Sequence, residues 1–185
     1  MLKHQDLLPL VPQYHRWVSE MLEQHEGQMK PIDTQRFPRL KNFFQAKTLE
    51  SARCVVVNQL PFFPWGQFGL PEPEGMELEN NSFIGITYRN IYFVLASANH
   101  DESLHCHELV HVVQWQQLGN DLYPLLYGLD VFEKGYEECF LEKIARGFEQ
   151  IFRNQTNNTL CESYVMLCLG ACLPGFLARL IKGQL

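Results

Sequence analysis

Between Asp101 and Leu118 the sequence fits a helix covered on nearly every side. In "DESLHCHELVHVVQWQQL", Leu104, His107, His111, Gln114 and Leu118 share one helical face. Leu109, Val110, Val112, Val113 and Trp115 cover most of the rest. Only a narrow stripe that includes His105 and Gln116 is left for water. His105 is therefore expected to be solvated, as is His100 just ahead of the helix. Other elements must wrap such a helix to bury it. Asn99 or Asp101 can cap its start, and Gly119-Asn120 can end it.

The same stretch carries chemistry. His107-Glu108-Leu109-Val110-His111 spells H-E-x-x-H. Residues four apart on a helix lie one turn apart on the same face, so both imidazoles can reach one metal ion. Glu108 sits about 100° around the helix from His107, placed to act as a general base. Two histidines on a buried face need partners, because an unpaired buried polar group costs roughly 1–3 kcal/mol. A metal ion would satisfy both at once.

The rest of the chain supplies the wrapping. Tyr14, Trp17, Val18, Met21 and Leu22 follow helical spacing, so residues 12–26 read as an amphipathic helix ended by Gly27. A shorter helix is expected from Pro38 to Lys47, and "RCVVVNQL" reads as a strand. The proline- and glycine-rich stretch from Pro61 to Met76 excludes regular structure. It nevertheless carries Phe62, Phe63, Trp65 and Phe68, which suits a loop packed by its own aromatics or walling a cleft. "FIGITYRNIYFV" reads as a hairpin of Phe83–Tyr88 and Ile91–Leu95. Helices are expected at Glu138–Arg153 and Leu160–Ile181. The second of these is apolar on all sides, but Pro174-Gly175 interrupts it and its uncharged run stops at Ala178. It is expected to be buried in the core or to meet an oligomer partner, with no membrane contact.

One domain is expected across residues 1–185. It would hold N-terminal helices in 1–50, a sheet and loop in 51–98, metal-site helices in 101–155 and an apolar C-terminal helix in 160–182. The net charge of −6 argues against non-specific nucleic-acid binding, which needs a basic face. The six cysteines form no C-x-x-C pair and the opening residues carry no cleavage-site pattern. The expectation is free thiols in a reducing, cytoplasmic setting, with Cys161, Cys168 and Cys172 packed in the core and Cys106 too far off the ligand face to be a switch.

Here the sequence resembles the zincin metallopeptidases. More narrowly, it is similar to small gluzincin-like domains in which H-E-x-x-H-x-x-Q precedes a second helix bearing E-x-x-A. The matching pieces are "HELVHVVQW", with Gln114 three residues after His111, and "GYEECFLEKIA", with Glu142 three residues before Ala145. The likeness runs from about Phe83 to Phe152. It implies an α+β, zincin-like fold: a small bent sheet and hairpin packed on an active-site helix, with a mainly helical C-terminal half. It also implies a Zn2+ ion held by His107, His111 and Glu142, with peptides or proteins as substrate. On the helical wheel Glu142 lies nearly opposite the apolar face, so Glu138 and Glu137 stay open as rival third ligands.

The implied reaction is peptide hydrolysis by a zinc-activated water, with Glu108 as general base. Tyr136 is the candidate donor to the oxyanion, with Tyr123 and Tyr127 as rivals. Phe83–Tyr88 or Ile91–Leu95 could pair with an extended substrate. The alternatives are an inactive zinc-binding scaffold acting through partner contacts, or a zinc hydrolase of another amide bond.

Overall fold

A computed structural model describes residues 7–71, 74, 83–154 and 159–181. Residues 72, 73, 75 and 76 of the aromatic loop, and Lys182 at the expected end of the last helix, lie outside them.

Helix α1, Val11–His25, follows a short 3-10 turn, Leu8–Leu10, that contains Pro9. Its buried residues Val18, Met21 and Leu22 pack on Val55, Tyr88 and Phe93 of the sheet. The single helix expected at Pro38–Lys47 is instead two, α2 at Leu40–Phe43 and α3 at Ala46–Ser51, because Phe44 and Gln45 are extended. A distant carboxylate fixes that break. Glu162 Oε1 accepts from the Gln45 amide at 3.0 Å and the Thr48 hydroxyl at 2.6 Å.

The sheet has four strands: β1, Lys30–Pro31; β2, Arg53–Val57; β3, Gly85–Tyr88; and β4, Ile91–Leu95, in the order β1-β2-β4-β3. β2 runs parallel to β4, and the other two pairings are antiparallel. The hairpin forms, its first strand starting at Gly85 where Phe83 was expected, with Tyr88 opposite Ile91 and Arg89 at φ 60° in the turn. β4 is therefore an interior strand with both edges paired. It cannot receive a substrate strand, and of the two hairpin strands only β3 lies at an edge of the sheet.

Helix α4, Glu102–Lys134, packs on β3 and β4. Asp101 caps it, accepting from the Ser103 amide at 2.8 Å. Gly119-Asn120 does not end it. Gly119 takes φ 78° and ψ 175°, a combination open almost solely to glycine, and the chain resumes as a second helical segment. Pro124 lies near the start of that segment. Asp130, fully buried, then receives the Phe140 amide at 2.6 Å and starts α5, Phe140–Asn154, against α4.

Three expectations about burial fail. His105 is 2 % exposed, not solvated: its Nε2 donates to the Asn99 carbonyl at 3.1 Å and its Nδ1 accepts from the Tyr92 hydroxyl at 2.7 Å. The stripe left for water is covered there by the loop before α2 and by the sheet: the Phe37 ring sits 4.2 Å from the His105 ring, and Tyr92 of β4 bonds to it. Helix α6, Cys161–Ile181, runs unbroken through Pro174. Within it only 22 % of Cys161–Ala178 is buried; Met166 and Leu167 face outward. By length and composition alone that stretch is also sufficient to cross a membrane. All six cysteines are free. Cys161 packs in the core, but Cys168 is half-buried and Cys172 exposed.

The overall class is mixed α+β: a small mixed sheet on one side of α4 and a mainly helical C-terminal half on the other.

Candidate metal centre

His107 and His111 project from the first segment of α4 toward Glu142 in the first turn of α5. Their Nε2 atoms lie 3.2 Å apart. His111 Nε2 is 3.4 Å from Glu142 Oε1, and His107 Nε2 is 3.5 Å from Glu142 Oε2. A tetrahedral ion with ~2.0–2.1 Å bonds holds its donors about 3.3–3.4 Å apart. The three separations lie near that spacing, with the two histidines facing different oxygens of the Glu142 carboxylate.

The hydrogen bonds around the histidines fix which nitrogen faces inward. Gln114 donates its amide Nε2 to the Leu141 carbonyl at 2.8 Å, so its Oε1 is turned to His111 Nδ1, also at 2.8 Å. An amide oxygen only accepts, so Nδ1 carries the proton and Nε2 presents a lone pair. His107 is held the same way, with Nδ1 3.1 Å from Glu149 Oε2. With both imidazoles neutral, two nitrogen lone pairs face each other beside a carboxylate. Such an arrangement repels itself unless a positive charge lies at its centre. Glu142 points to the same need: Tyr127 donates to its Oε1 at 2.9 Å, while the buried Oε2 has no hydrogen-bond partner. The three residues can hold a metal ion.

The charges respond accordingly. Burial disfavours protonated His107, but the Glu142 and Glu149 carboxylates beside it outweigh that and push its pKa up to about 10. Burial likewise disfavours ionised Glu142, yet the two histidines hold it well below the usual carboxylate range. In the absence of a metal, a proton on His107 supplies the missing positive charge.

Glu137 and Glu138 do not enter the cluster. Both are exposed, paired with Arg146 and Lys143 respectively. Glu142 is only 3 % exposed even though it lies opposite the main apolar face of α5, because His107, His111 and Tyr127 of α4 close over it.

Glu108 is 3 % exposed and rests against β3. Thr87 donates to its Oε2 at 2.7 Å, and a Cβ on Gly85 would stand 2.3 Å from its Oε1. Burial raises the Glu108 carboxyl, partly opposed by His107, His111 and the Thr87 hydroxyl. Neither Gly85 nor Thr87 was singled out from the sequence. Their signal is the pair "GIT", two residues apart on the strand face that meets the helix.

Tyr123, Tyr127 and Tyr136 all line the cleft above the cluster. Tyr127 is committed to Glu142, and Tyr123 stacks on Trp115 with its hydroxyl 3.3 Å from His111 Nδ1. Tyr136 packs edge-on against Phe83, and burial together with the Glu142 charge keeps its hydroxyl protonated. Cys106, next to His107, is fully buried, and burial pushes its thiol up, so it stays an inert thiol.

No family model, curated protein or solved structure matches this chain. What the chain can do is therefore set by the chemistry of the site itself.

Proposed function

We propose that this protein is a zinc-dependent peptidase of the zincin type, with His107, His111 and Glu142 as ligands. The observation that carries the reading is the donor triangle, spaced for a tetrahedral ion, at the floor of an open cleft and beside a buried glutamate. Two imidazoles and a carboxylate suit zinc, and three protein ligands leave a position for chemistry. Bound zinc supplies a Lewis acid and an activated water.

The chain's own groups do the rest. Gln114 and Glu149 keep both Nε2 lone pairs aimed inward. Glu108, in reach of the cleft, takes the proton of the attacking water and hands it to the leaving amine. Burial, which raises its carboxyl, helps it hold that proton between the two transfers. Tyr136 donates to the oxygen that develops negative charge. The edge strand β3 pairs with an extended substrate above Glu108.

The test is metal content and peptide hydrolysis together. Wild type should carry about one zinc per chain, and His111→Ala and Glu142→Ala should each lose it. Glu108→Gln should keep the metal while hydrolysis falls by about 10²–10⁴-fold. Unchanged turnover in Glu108→Gln would sink the assigned role. The exposed Met166 and Leu167 on α6 favour a second reading, a metal-bound scaffold that docks a partner. Full zinc occupancy without cleavage of any unfolded protein would select it.

A further inference from the structure

The first turn of α5 is held at three consecutive residues by three groups of α4. Asp130 Oδ2 accepts from the Phe140 amide at 2.6 Å. Gln114 donates to the Leu141 carbonyl at 2.8 Å, and Tyr127 donates to the Glu142 carboxylate at 2.9 Å. Gln114 stands before the Gly119 kink, and Tyr127 and Asp130 stand beyond it. The Lys143 amide donates to the Cys139 carbonyl at 2.9 Å, which opens the bond ladder of α5. The Phe140 amide lies ahead of that ladder, where a helix leaves its amides unpaired and its dipole is positive, and a carboxylate meets it there. Asp130 is fully buried, and a charge so placed is costly unless paired. Lys134, one turn further along α4 and partly exposed, pairs with its Oδ1 at 2.6 Å.

We infer that Asp130, held in place by Lys134, is a positioning residue for the metal donor Glu142, acting through the amide that starts α5. The inference rests on His107, His111 and Glu142 as donors and needs no peptide hydrolysis. Glu142 is two residues past Phe140 in the same turn, about 3 Å further along the axis. A shift of that turn carries its carboxylate along, and a metal bond tolerates only about 0.2 Å. Tyr127 orients the carboxylate itself, and Gln114 serves His111 as well as α5. Asp130 bonds to Phe140 and Lys134, neither of them a donor. It thus sets where the turn starts without competing for the ion.

The experiment measures Zn2+ affinity by competition with a chromogenic chelator, and the visible spectrum of the Co2+-loaded protein, whose bands report the number and geometry of the donors. Asp130→Asn keeps an oxygen that can accept from the Phe140 amide but loses the charge that pairs with Lys134. Its Zn2+ affinity should fall about 10–100-fold, and its Co2+ spectrum should move toward that of Glu142→Ala. Lys134→Gln changes a partly exposed side chain and keeps the inference testable if Asp130→Asn does not fold. Its affinity and spectrum should move in the same direction, and Lys134→Arg should restore both. Leu129→Ala is the control. It empties a buried apolar site beside Asp130 and leaves the Lys134–Asp130–Phe140 contacts in place. It should unfold at lower urea concentration, with wild-type affinity and spectrum. Wild-type affinity and spectrum in Lys134→Gln and Asp130→Asn would overturn the inference and leave the donor triangle standing. A loss of affinity in Leu129→Ala as large as in Asp130→Asn would overturn it too, and reduce Asp130 to a general support of the fold. A wild-type protein that binds neither ion would overturn the donor triangle and this inference with it. The expected pattern of metal binding without cleavage of any peptide would support the inference and remove the peptidase reading.

Discussion

His107 turns its Nδ1 to Glu149, 3.1 Å away, and this leaves its Nε2 directed at His111 and Glu142. The contact continues outward. Arg153 pairs with Glu149 at 2.7 Å and reaches Asp101 at 3.5 Å, and Asp101 is the residue that caps α4. The end of α5 therefore steadies both a candidate ligand and the start of the helix that carries it. Glu149→Gln keeps an acceptor but removes the charge that makes the imidazole more basic, and Glu149→Ala removes both. Zinc affinity, measured by competition with a chromogenic chelator, should fall about 10–100-fold in Glu149→Ala and less in Glu149→Gln. Equal affinity in all three proteins would show that His107 needs no support from α5.

The general base depends on β3 in a way that separates binding from chemistry. Thr87→Val removes the hydroxyl that donates to Glu108 Oε2, and Gly85→Ala sets a methyl carbon 2.3 Å from Oε1. Neither residue belongs to the donor triangle. Zinc content should stay at the wild-type level in both. Turnover should fall about 100-fold in Gly85→Ala, the usual cost of misplacing a reacting group by about 1 Å. Loss of zinc in Gly85→Ala would mean that β3 holds up the whole helix face and not Glu108 alone.

What could be read from the sequence divides along distance in the chain. His107, Glu108 and His111 are set by one turn of helix, and the start of that helix by Asp101, so local spacing was enough. The hairpin was equally local, since two alternating runs around Arg89-Asn90 define it. Glu142 could be ranked above Glu137 and Glu138 only through the resemblance. The wheel pointed the other way, because it cannot show that His107, His111 and Tyr127 of α4 close over Glu142. Glu149 went unnoticed, since its contact with His107 exists only once α4 and α5 are packed. The helix after Gly119 was hidden by residues that read as a stop. Glycine there permits a kink, and a proline near the start of the next segment costs little. The exposure of α6 was hidden for the opposite reason: its composition matches a core helix, and nothing in the pattern shows which side the other elements leave open.

His105 makes a separate test of the packing. It bridges the Tyr92 hydroxyl and the Asn99 carbonyl inside the core, and it lies outside the donor cluster. His105→Leu fits the volume and leaves both partners without a hydrogen bond. Urea unfolding should show a loss of about 1–3 kcal/mol. A neutral result would put His105 back on the solvent stripe that the helical wheel assigns to it.

The kink at Gly119 gives the last prediction, because its effect on stability can be told from its effect on the site. A Cβ there would meet nothing within 4 Å, so any cost of Gly119→Ala is a backbone cost. At φ 78° and ψ 175° that cost is of order 1–3 kcal/mol. Gly119→Asn should be no better than alanine, since asparagine tolerates the left-handed helical region and ψ 175° lies far outside it. Both variants should unfold at lower urea concentration. If the chain escapes the strain by straightening α4, Tyr127 moves away from Glu142 Oε1, and zinc affinity falls along with stability. If it keeps the kink and carries the strain, stability falls and zinc affinity does not. Wild-type stability in both variants would show that α4 does not bend at Gly119, and the placement of Tyr123 and Tyr127 over the cluster would have to be abandoned with it.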